Sequence, residues 1–305
     1  MIVLIGVTGR LGKAIAERLL VAGIPFRGAC RDRTKAKSLI DRGVDVVPID
    51  LDNLSGLANA LVGSTKVISC VHGLLGASRA SIERIDIKGQ QALIDAAAET
   101  GVARYVFISA LGASLQHPSD FWRAKASTEQ HLKASGLEYV ILRPSAFMDL
   151  YAHDLIGAAV LRRKPVVVLG NGKMARNMIA VDDVAAAAVA ALMRDNLANA
   201  TIDIGGWESV TERDIAALYA SLSGNRAKLF VMPSFALRLL AAVLAPFHAG
   251  VSRLLRLPLQ LEGREDLHLD SSSWTARLDI EPTRLQAFAE RQIRAISQAL
   301  QSSVQ

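Results

Sequence analysis

The sequence predicts an α/β protein with a doubly wound parallel sheet and a smaller C-terminal lobe. Three observations predict this fold. Short β-branched runs alternate with longer helical stretches through the first half of the chain, a glycine-rich turn directly follows the first run, and several helical stretches end in glycine. This alternation is typical of a parallel sheet that is covered by helices on both faces.

The strands and helices of the first half can be assigned in order. Six β-branched runs are predicted strands: Ile2–Gly6, Phe26–Cys30, Val44–Ile49, Val67–Val71, Arg104–Ser109 and Tyr139–Arg143. The stretches between them carry apolar residues at helical spacing: Leu11–Ala22, Lys35–Arg42, Leu54–Leu61, Ile82–Thr100 and Phe121–Ser135. A glycine follows each of these helices or lies near its end, where a left-handed cap is expected: Gly23, Gly43, Gly63, Gly101 and Gly136.

The second half is less regular. It contains a strand-like run at Val166–Leu169, an alanine-rich helix at Val184–Met193 and a short strand at Ala200–Ile204, followed by amphipathic helices at Phe235–Leu244 and Leu285–Leu300. We expect residues 1–145 to form the sheet domain, with residues 176–204 adding to it. Residues 146–175 and 205–305 would then form the smaller lobe, which grows from the carboxyl edge of the sheet where such folds bind ligands.

Composition narrows the class of protein. Hydrophobic residues make up 51% and charged residues 21% of the 305 residues, which excludes a disordered chain. Two cysteines, Cys30 and Cys70, favour a reducing compartment, and the start lacks a signal peptide, so we expect a cytoplasmic protein. The apolar stretch from Ser234 to Leu261 is interrupted by arginines and proline, which argues against a transmembrane segment. The net charge of +6 is scattered and aromatic residues are few, so nucleic acid is not the expected ligand.

The strongest motif is the turn Gly6-Val7-Thr8-Gly9-Arg10-Leu11-Gly12, which leaves the first strand and opens the first helix. Glycines permit a tight turn and a close backbone approach to a diphosphate, and the N–H groups at the helix start attract the anion. The motif therefore predicts a dinucleotide site that includes Gly6, Thr8, Gly9, Arg10, Leu11 and Gly12.

The end of the second strand normally distinguishes NAD from NADP. An acid there binds the ribose 2′-hydroxyl group, whereas an arginine pairs with a 2′-phosphate. Arg31 occupies this position, and Lys35 and Arg10 add positive charge, which favours NADPH. If the strand runs one residue further, Asp32 becomes the ribose ligand and the preference reverses.

Other strand ends supply further candidates. Asp50 and Leu51 close the third strand, where they would bind the adenine ring, or Asp50 would cap the helix Leu54–Leu61. Ser69 and His72 flank the end of the fourth strand and would line the cofactor cleft, although the position of His72 is more typical of a polar loop residue. The histidines and cysteines have no metal-ligand spacing, so no metal site is predicted, and the expected 3-2-1-4-5 strand order keeps Cys30 and Cys70 apart.

Together these features resemble one family. The glycine turn, Arg31 to Lys35, and several later segments are similar to the atypical short-chain dehydrogenase/reductases, in particular the NmrA-like branch. The later segments are Asp86-Ile87-Lys88-Gly89, Gly101 through Ser109, Lys125-x-x-x-Glu129 and Ser135 through Pro144. The resemblance covers almost the whole chain. It implies a Rossmann fold, an NAD(P) cofactor and relatives that range from quinone reductases to assembly factors and redox sensors.

The resemblance also implies a catalytic pair, which this chain keeps only in part. The family places a tyrosine four residues before a lysine, and here the window contains Phe121 and Lys125. Lys125 would orient the cofactor, or it would be an exposed lysine paired with Glu129. Ser109 would face the nicotinamide, Pro144 and Phe147 would lie along it, and Tyr151 is a substitute acid to consider.

Without the tyrosine, ketone reduction loses its general acid. Quinone reduction tolerates the loss because a hydroquinone anion is far less basic and water can protonate it. We therefore expect hydride transfer from NADPH to a small quinone-like or conjugated apolar acceptor. The alternative is a non-catalytic NADP(H)-binding regulator or assembly protein, with a protein partner or a homodimer.

Two further segments are interpreted from their residue types. Asp182 and Asp183 are expected to cap the alanine-rich helix. The apolar segment from Phe235 to Leu261 is expected to pack in the core, with a lid, a substrate wall, a dimer surface or a membrane-proximal face as alternatives.

Overall fold

A computed structural model describes residues 1–169, 172, 174–261 and 269–302. The strands are β1 (Ile2–Ile5), β2 (Phe26–Cys30), β3 (Asp45–Pro48), β4 (Lys66–Ser69), β5 (Arg104–Ile108), β6 (Glu138–Pro144), β7 (Ala146–Phe147), β8 (Val166–Leu169), β9 (Arg176–Ile179), β10 (Ala200–Ile204), β11 (Ser209–Val210) and β12 (Leu229–Met232). The helices are α1 (Arg10–Val21), α2 (Lys37–Ile40), α3 (Leu57–Leu61), α4 (Gln90–Glu99), α5 (Asp120–Ala134), α6 (Ala158–Leu161), α7 (Val181–Met193), α8 (Glu212–Ser223), α9 (Ser234–Leu244), α10 (Ala249–Leu261), α11 (Ser272–Leu278) and α12 (Leu285–Ser302).

Seven parallel strands form the central sheet in the order β10-β6-β5-β4-β1-β2-β3. The predicted Rossmann fold and its 3-2-1-4-5 strand order are confirmed, with β6 and β10 extending one edge. The chain order reverses between β1 and β4, and in open α/β sheets ligands bind outside the carboxyl ends of the strands at such a point.

Alternate residues of each strand pack on opposite faces of the sheet. Within β1, Ile2 and Leu4 join the hydrophobic cluster that includes residues of α1 and α7, whereas Val3 and Ile5 join the cluster that includes residues of α3 and α4. All four residues are buried. Burial on both faces explains why the strands are continuous apolar runs in the sequence.

The remaining elements build a second lobe. β11, β9 and β7 form a small sheet, β12 pairs with β8, and a third apolar cluster includes Met148, Ile156, Tyr219 and Phe288. Residues 176–204 were expected to add to the sheet domain. Of their elements, β10 joins the central sheet and α7 packs on α1, whereas β9 lies in the small sheet. The boundary at residue 145 and the substrate-binding role of the smaller lobe stay predictions. No helix within the described ranges is both long and apolar enough to cross a bilayer.

Several local predictions are confirmed and others are wrong. All five glycines expected to cap helices have positive φ angles, from 64° at Gly23 to 83° at Gly43. The third helix begins at Leu57, not Leu54, because Asp50 and Ser55 form a bridge and Gly56 takes a left-handed conformation before the helix. Asp50 therefore does not cap this helix.

The predicted cap of α7 is also wrong. The side chain of Asp149 accepts from the Val181 N–H group at 2.9 Å, and Asp182 and Asp183 lie inside the first helical turn. Asp183 instead accepts from the backbone N–H and the hydroxyl group of Thr283, while Asp182 pairs with Arg291 at 3.2 Å. Both aspartates tie α7 to the C-terminal region.

Candidate cofactor-binding site

An open cleft of about 230 Å³ lies at the carboxyl ends of β1 to β4. Its walls come from four consecutive strand ends, which meet at the edge of the sheet where the strand order reverses. The lining residues are Ile5, Gly6, Thr8, Gly9, Ala29, Cys30, Arg31, Asp32, Lys35, Ile49, Asp50, Leu51, Asp52, Cys70, Val71, His72 and Ile85. The structure thus brings together seven of the predicted cofactor residues: Gly6, Thr8, Gly9, Arg31, Lys35, Asp50 and Leu51.

The glycine turn forms one wall of this cleft. Gly6 has a φ angle of +91°, which other residues rarely adopt, and a Cβ atom at Gly12 would lie 2.1 Å from the Gly6 carbonyl oxygen. Gly12 therefore lets α1 pack against the turn. Gly9 precedes α1 in an extended conformation, and no side chain of the described residues caps the helix start. An uncapped helix start with a positive dipole suits a diphosphate group, so the turn fits a dinucleotide.

Arg31 follows the last residue of β2 directly and is exposed on the cleft wall. Asp32 also lines the cleft, but its carboxylate accepts from the Thr34 N–H group at 3.0 Å and the Thr34 hydroxyl group at 2.6 Å. These hydrogen bonds lower the pKa of Asp32. The strand does not run the extra residue that would make Asp32 the strand-end ligand.

Asp50 and Leu51 line the cleft after β3. The Asp50 carboxylate accepts from the Asp52 N–H group at 2.9 Å and so shapes the turn after β3. Leu51 is buried in the cluster beneath the cleft, and its backbone is so close to the helix at Gly89 that a Cβ atom there would lie 2.3 Å from the Leu51 oxygen. Their predicted contact with an adenine ring stays a prediction.

Lys125 lies beneath the site on α5, with only 2% of its surface exposed. Its Nζ atom is 3.3 Å from the Asp86 carboxylate, 3.3 Å from the Ile108 carbonyl oxygen and 3.5 Å from that of Val71. Asp86 is fully buried and also accepts from the Gly73 N–H group at 2.6 Å. The interpretation of Lys125 as an exposed lysine paired with Glu129 is wrong. The lysine joins the ends of β4 and β5, and its predicted contact with the cofactor stays a prediction.

Phe121 brings an apolar ring to the position where the resembling family has a tyrosine. The ring lies 5.4 Å from the Lys125 Nζ atom, and it contacts His72 edge-on with 6.1 Å between ring centroids. His72 is exposed and lines the cleft, so the interpretation as only a polar loop residue is incomplete. The surrounding protein atoms, together with the Lys125 charge, lower the pKa of His72, which favours the neutral imidazole.

Ser109 belongs to a separate buried network at the end of β5. Its hydroxyl group donates to Glu129, and Arg143 donates to both carboxylate oxygens of Glu129, one of them at 2.8 Å. The nearby Asp203 lies 3.8 Å from Arg143. The hydrogen bond from Ser109 is therefore directed at Glu129, and its predicted position facing the nicotinamide stays untested.

Other predicted residues lie outside the cleft walls. Arg10 pairs with Asp154 at 2.6 Å, so it links α1 to the second lobe. Ser69 has no exposed surface and donates to Gln90 at 2.8 Å beneath the cleft, so it does not line the cleft as predicted. Five other residues are absent from the lining as well: Leu11 and Gly12 of α1, Pro144 at the end of β6, Phe147 of β7, and Tyr151, whose ring packs under Arg176.

Sequence reasoning missed Asp86 and Gln90 as parts of the site. Both lie on the long helix predicted for 82–100, and both are fully buried. Gln90 donates to the Val71 carbonyl oxygen at 3.1 Å and so fixes the cleft floor. A charged residue on the apolar face of a predicted helix was the available signal. Both cysteines are free, and no described group of three or more His, Cys, Asp or Glu side chains is arranged to hold a metal ion.

The fold and the cleft define a nucleotide-binding protein of the Rossmann class. A protein-family profile described as NAD(P)H-binding matches residues 6–195. The chain therefore belongs to this NAD(P)H-binding family, which agrees with the resemblance to the NmrA-like branch of the atypical short-chain dehydrogenase/reductases.

Individual proteins are similar over most of the chain. An NAD(P)H azoreductase of Xenophilus azovorans is 29% identical over 74% of both chains. A photosystem II assembly factor of Guillardia theta is 27% identical over 95% of this chain and 93% of its own. An NADPH-dependent quinone oxidoreductase of Escherichia coli, solved with NADPH, shares the fold with a TM-score of 0.78 at 23% identity over 96% of this chain and all of its own.

Proposed function

We propose that this chain is an NADPH-dependent oxidoreductase that transfers a hydride to a quinone-like or other conjugated apolar acceptor. The observation that carries the proposal is a dinucleotide cleft that includes Arg31 and Lys35, together with an apolar ring, Phe121, at the family's acid position. The relatives named as reductases support the same class of reaction.

The residues that would hold the cofactor follow from the cleft. The N–H groups of the turn at Gly6 to Gly9 would bind the diphosphate, and Arg31 with Lys35 would bind the 2′-phosphate. Asp50 and Leu51 would flank the adenine ring. When bound, the reduced nicotinamide supplies the hydride, while the chain's own residues bind and orient the reactants.

The acceptor class follows from the missing proton donor. A developing alkoxide needs an enzyme acid, because its basicity makes unassisted reduction slow. A hydroquinone anion is weakly basic, so water in the open cleft is a sufficient proton source. Phe121 is buried and brings no proton donor to this position.

Steady-state NADPH oxidation with a panel of quinones, azo compounds and simple ketones tests this proposal. We expect turnover with the quinones or azo compounds and none with the ketones. The absence of NADPH oxidation above background with every acceptor would contradict the reductase function.

The second candidate is a protein that binds NADP(H) without catalysis and acts on a protein partner. Two observations favour this candidate: the similarity to an assembly factor extends over 95% of this chain, and the family's tyrosine is replaced by Phe121. Tight NADPH binding without turnover, together with a protein that co-purifies with the chain, would select this candidate.

A further inference from the structure

The helix α9 presents an apolar stripe to solvent. Phe235, Leu239 and Val243 follow one another at intervals of four residues and are 73%, 65% and 53% exposed. Phe247, in the turn before α10, is 79% exposed. The expectation that this segment packs in the core is therefore wrong for the stripe, because α9 is anchored through a different edge that buries Leu237 and Ala241.

The sequence around this stripe carries only positive charge. Between Asp214 and Glu262 the chain has no acidic residue, and it has five basic ones: Arg226, Lys228, Arg238, Arg253 and Arg256. All except Arg253 are exposed. Residues 215–261 therefore have a net charge of +5, compared with +6 for the whole chain. The strand β12, which leads into α9, adds the exposed ring of Phe230 to the same region.

We propose that this surface, formed by the exposed side chains of β12, α9, the turn that contains Phe247, and α10, binds the surface of an anionic lipid bilayer. A helix with exposed Phe and Leu side chains beside arginines is typical of helices that lie in the membrane interface. The apolar side chains would enter the boundary of the acyl chains. The arginines would remain among the negative headgroups, which attract basic residues near the surface.

A bilayer fits this surface better than a second copy of the chain does. Self-association through it would bring two positively charged surfaces together, and juxtaposed like charges oppose binding. A bilayer offers both an apolar interior and negative charge to every part of the surface.

The surface is fixed to the loop beside the cofactor cleft. The Ala249 N–H group donates to the Ala77 carbonyl oxygen at 2.9 Å. Arg253 donates to the Arg79 carbonyl oxygen at 2.7 Å and pairs with Asp120, which begins α5, at 3.3 Å. A bound membrane would thus lie near this loop. If the proposed reductase function holds, apolar acceptors dissolved in the bilayer would reach the site from this side; membrane binding itself does not depend on that function.

Co-sedimentation of the full chain with lipid vesicles tests the proposal. The two probes are vesicles of phosphatidylcholine alone and vesicles that also contain phosphatidylglycerol, each at low and high salt. We expect binding to the anionic vesicles at low salt, with weaker binding at high salt and to phosphatidylcholine alone. Binding to neither kind of vesicle would overturn the proposal.

Variants locate the binding surface. The triple change Phe235→Ser, Leu239→Ser and Phe247→Ser should weaken vesicle binding at least about tenfold, and Arg238→Glu with Arg256→Glu should weaken it about tenfold or more. The matched control is Val21→Ser, because Val21 is 80% exposed at the far end of α1 and should leave binding unchanged. Thermal unfolding and NADPH titration of each variant check that the fold and the cofactor site are intact.

The variant results discriminate between occupants of this surface. Equal vesicle binding by the triple variant and the wild-type chain would overturn the assignment to this surface. A concentration-dependent dimer that the triple variant loses, without vesicle binding, would assign the surface to a second copy and would also overturn the proposal.

Discussion

Two cationic side chains near the cleft, Arg31 and Lys125, differ in solvent exposure, and this difference determines what each can bind. Arg31 is exposed on the cleft wall, where it is free to meet an anionic ligand. Lys125 is enclosed by Asp86 and two backbone carbonyl oxygens, so its charge is used inside the protein. Substitution of Arg31 should therefore change cofactor binding, whereas substitution of Lys125 should change stability first.

Arg31→Asp should reverse the cofactor preference. The change removes an ion pair with the 2′-phosphate and adds a repulsive carboxylate, so NADPH binding should weaken about 10-fold to 100-fold. NADH, which lacks this phosphate, should bind as well as before or better. Calorimetric titration with both cofactors measures the ratio. Arg33→Asp is the matched control, since Arg33 is exposed two residues away and outside the cleft lining; an unchanged ratio in Arg31→Asp would refute the assignment.

Lys125→Met should destabilise the fold by about 3–5 kcal/mol, because it leaves the Asp86 carboxylate buried without its cation. Urea unfolding measures the loss of unfolding free energy. Lys133→Met is the control, since Lys133 is exposed on the same helix and its change should be nearly neutral.

A double-mutant cycle tests whether the two residues are coupled. Asp86→Asn combined with Lys125→Met should destabilise the fold by less than the sum of the two single changes. Additive costs would show that the two residues are not coupled.

A π-helix, which has wider turns than an α-helix, positions Asp86, a residue of the site that the sequence periodicity did not identify. The sequence predicts one continuous helix over 82–100, but residues 82–89 form a π-helix before α4. Such wide turns are frequent at functional sites. Here the π-helix positions the Asp86 carboxylate to accept from the Gly73 N–H group and to pair with Lys125. Strand and helix ends were predictable because β-branched runs and glycine caps are local signals, and the strand order was expected from the doubly wound fold class. The Asp86–Lys125 pair joins residues far apart in sequence and required the tertiary structure.

The packing of α1 on the glycine turn gives a prediction that separates folding from binding. Gly12→Ala should destabilise the fold by about 1–3 kcal/mol, because the new Cβ atom would overlap the Gly6 carbonyl oxygen. Gly9→Ala should be nearly neutral for folding, since Gly9 has a negative φ angle and its Cβ atom would be 3.4 Å from the nearest atom. It should nevertheless weaken NADPH binding because the methyl group enters the cleft. Thermal unfolding and cofactor titration measure the two effects. Equal stability of both variants would contradict this account of the turn.

The sheet domain could be predicted from the sequence far better than the second lobe could. The sheet domain follows from periodicity, since inner strands such as β1 are apolar on both faces and the helices that cover them are apolar on one. The second lobe could not be derived in the same way, because its strands are short and pair out of sequence order, as β11-β9-β7 and β12-β8 do. For the exposed stripe on α9, the sequence favoured core packing and gave a surface role only as an alternative. Its apolar periodicity resembles that of a core helix, and only the tertiary structure shows which edge is buried.

Global stability should fall as the pH drops below about 6.5 (the ordinary pKa of histidine), partly through His72. The protein atoms around the His72 ring and the Lys125 charge lower its pKa in the folded protein, and partial burial lowers the pKa of His153. The unfolded chain therefore binds protons at a higher pH than the folded chain does. The stabilisation is fully present above about 6.5 and is lost as the pH falls toward the folded pKa values. Urea unfolding of the wild-type chain and of His72→Gln between pH 7.5 and 5.5 tests this, since the variant should lose less stability over that range. Because other groups titrate equally in both proteins, the difference reports His72 alone, and parallel pH profiles would contradict its assigned environment.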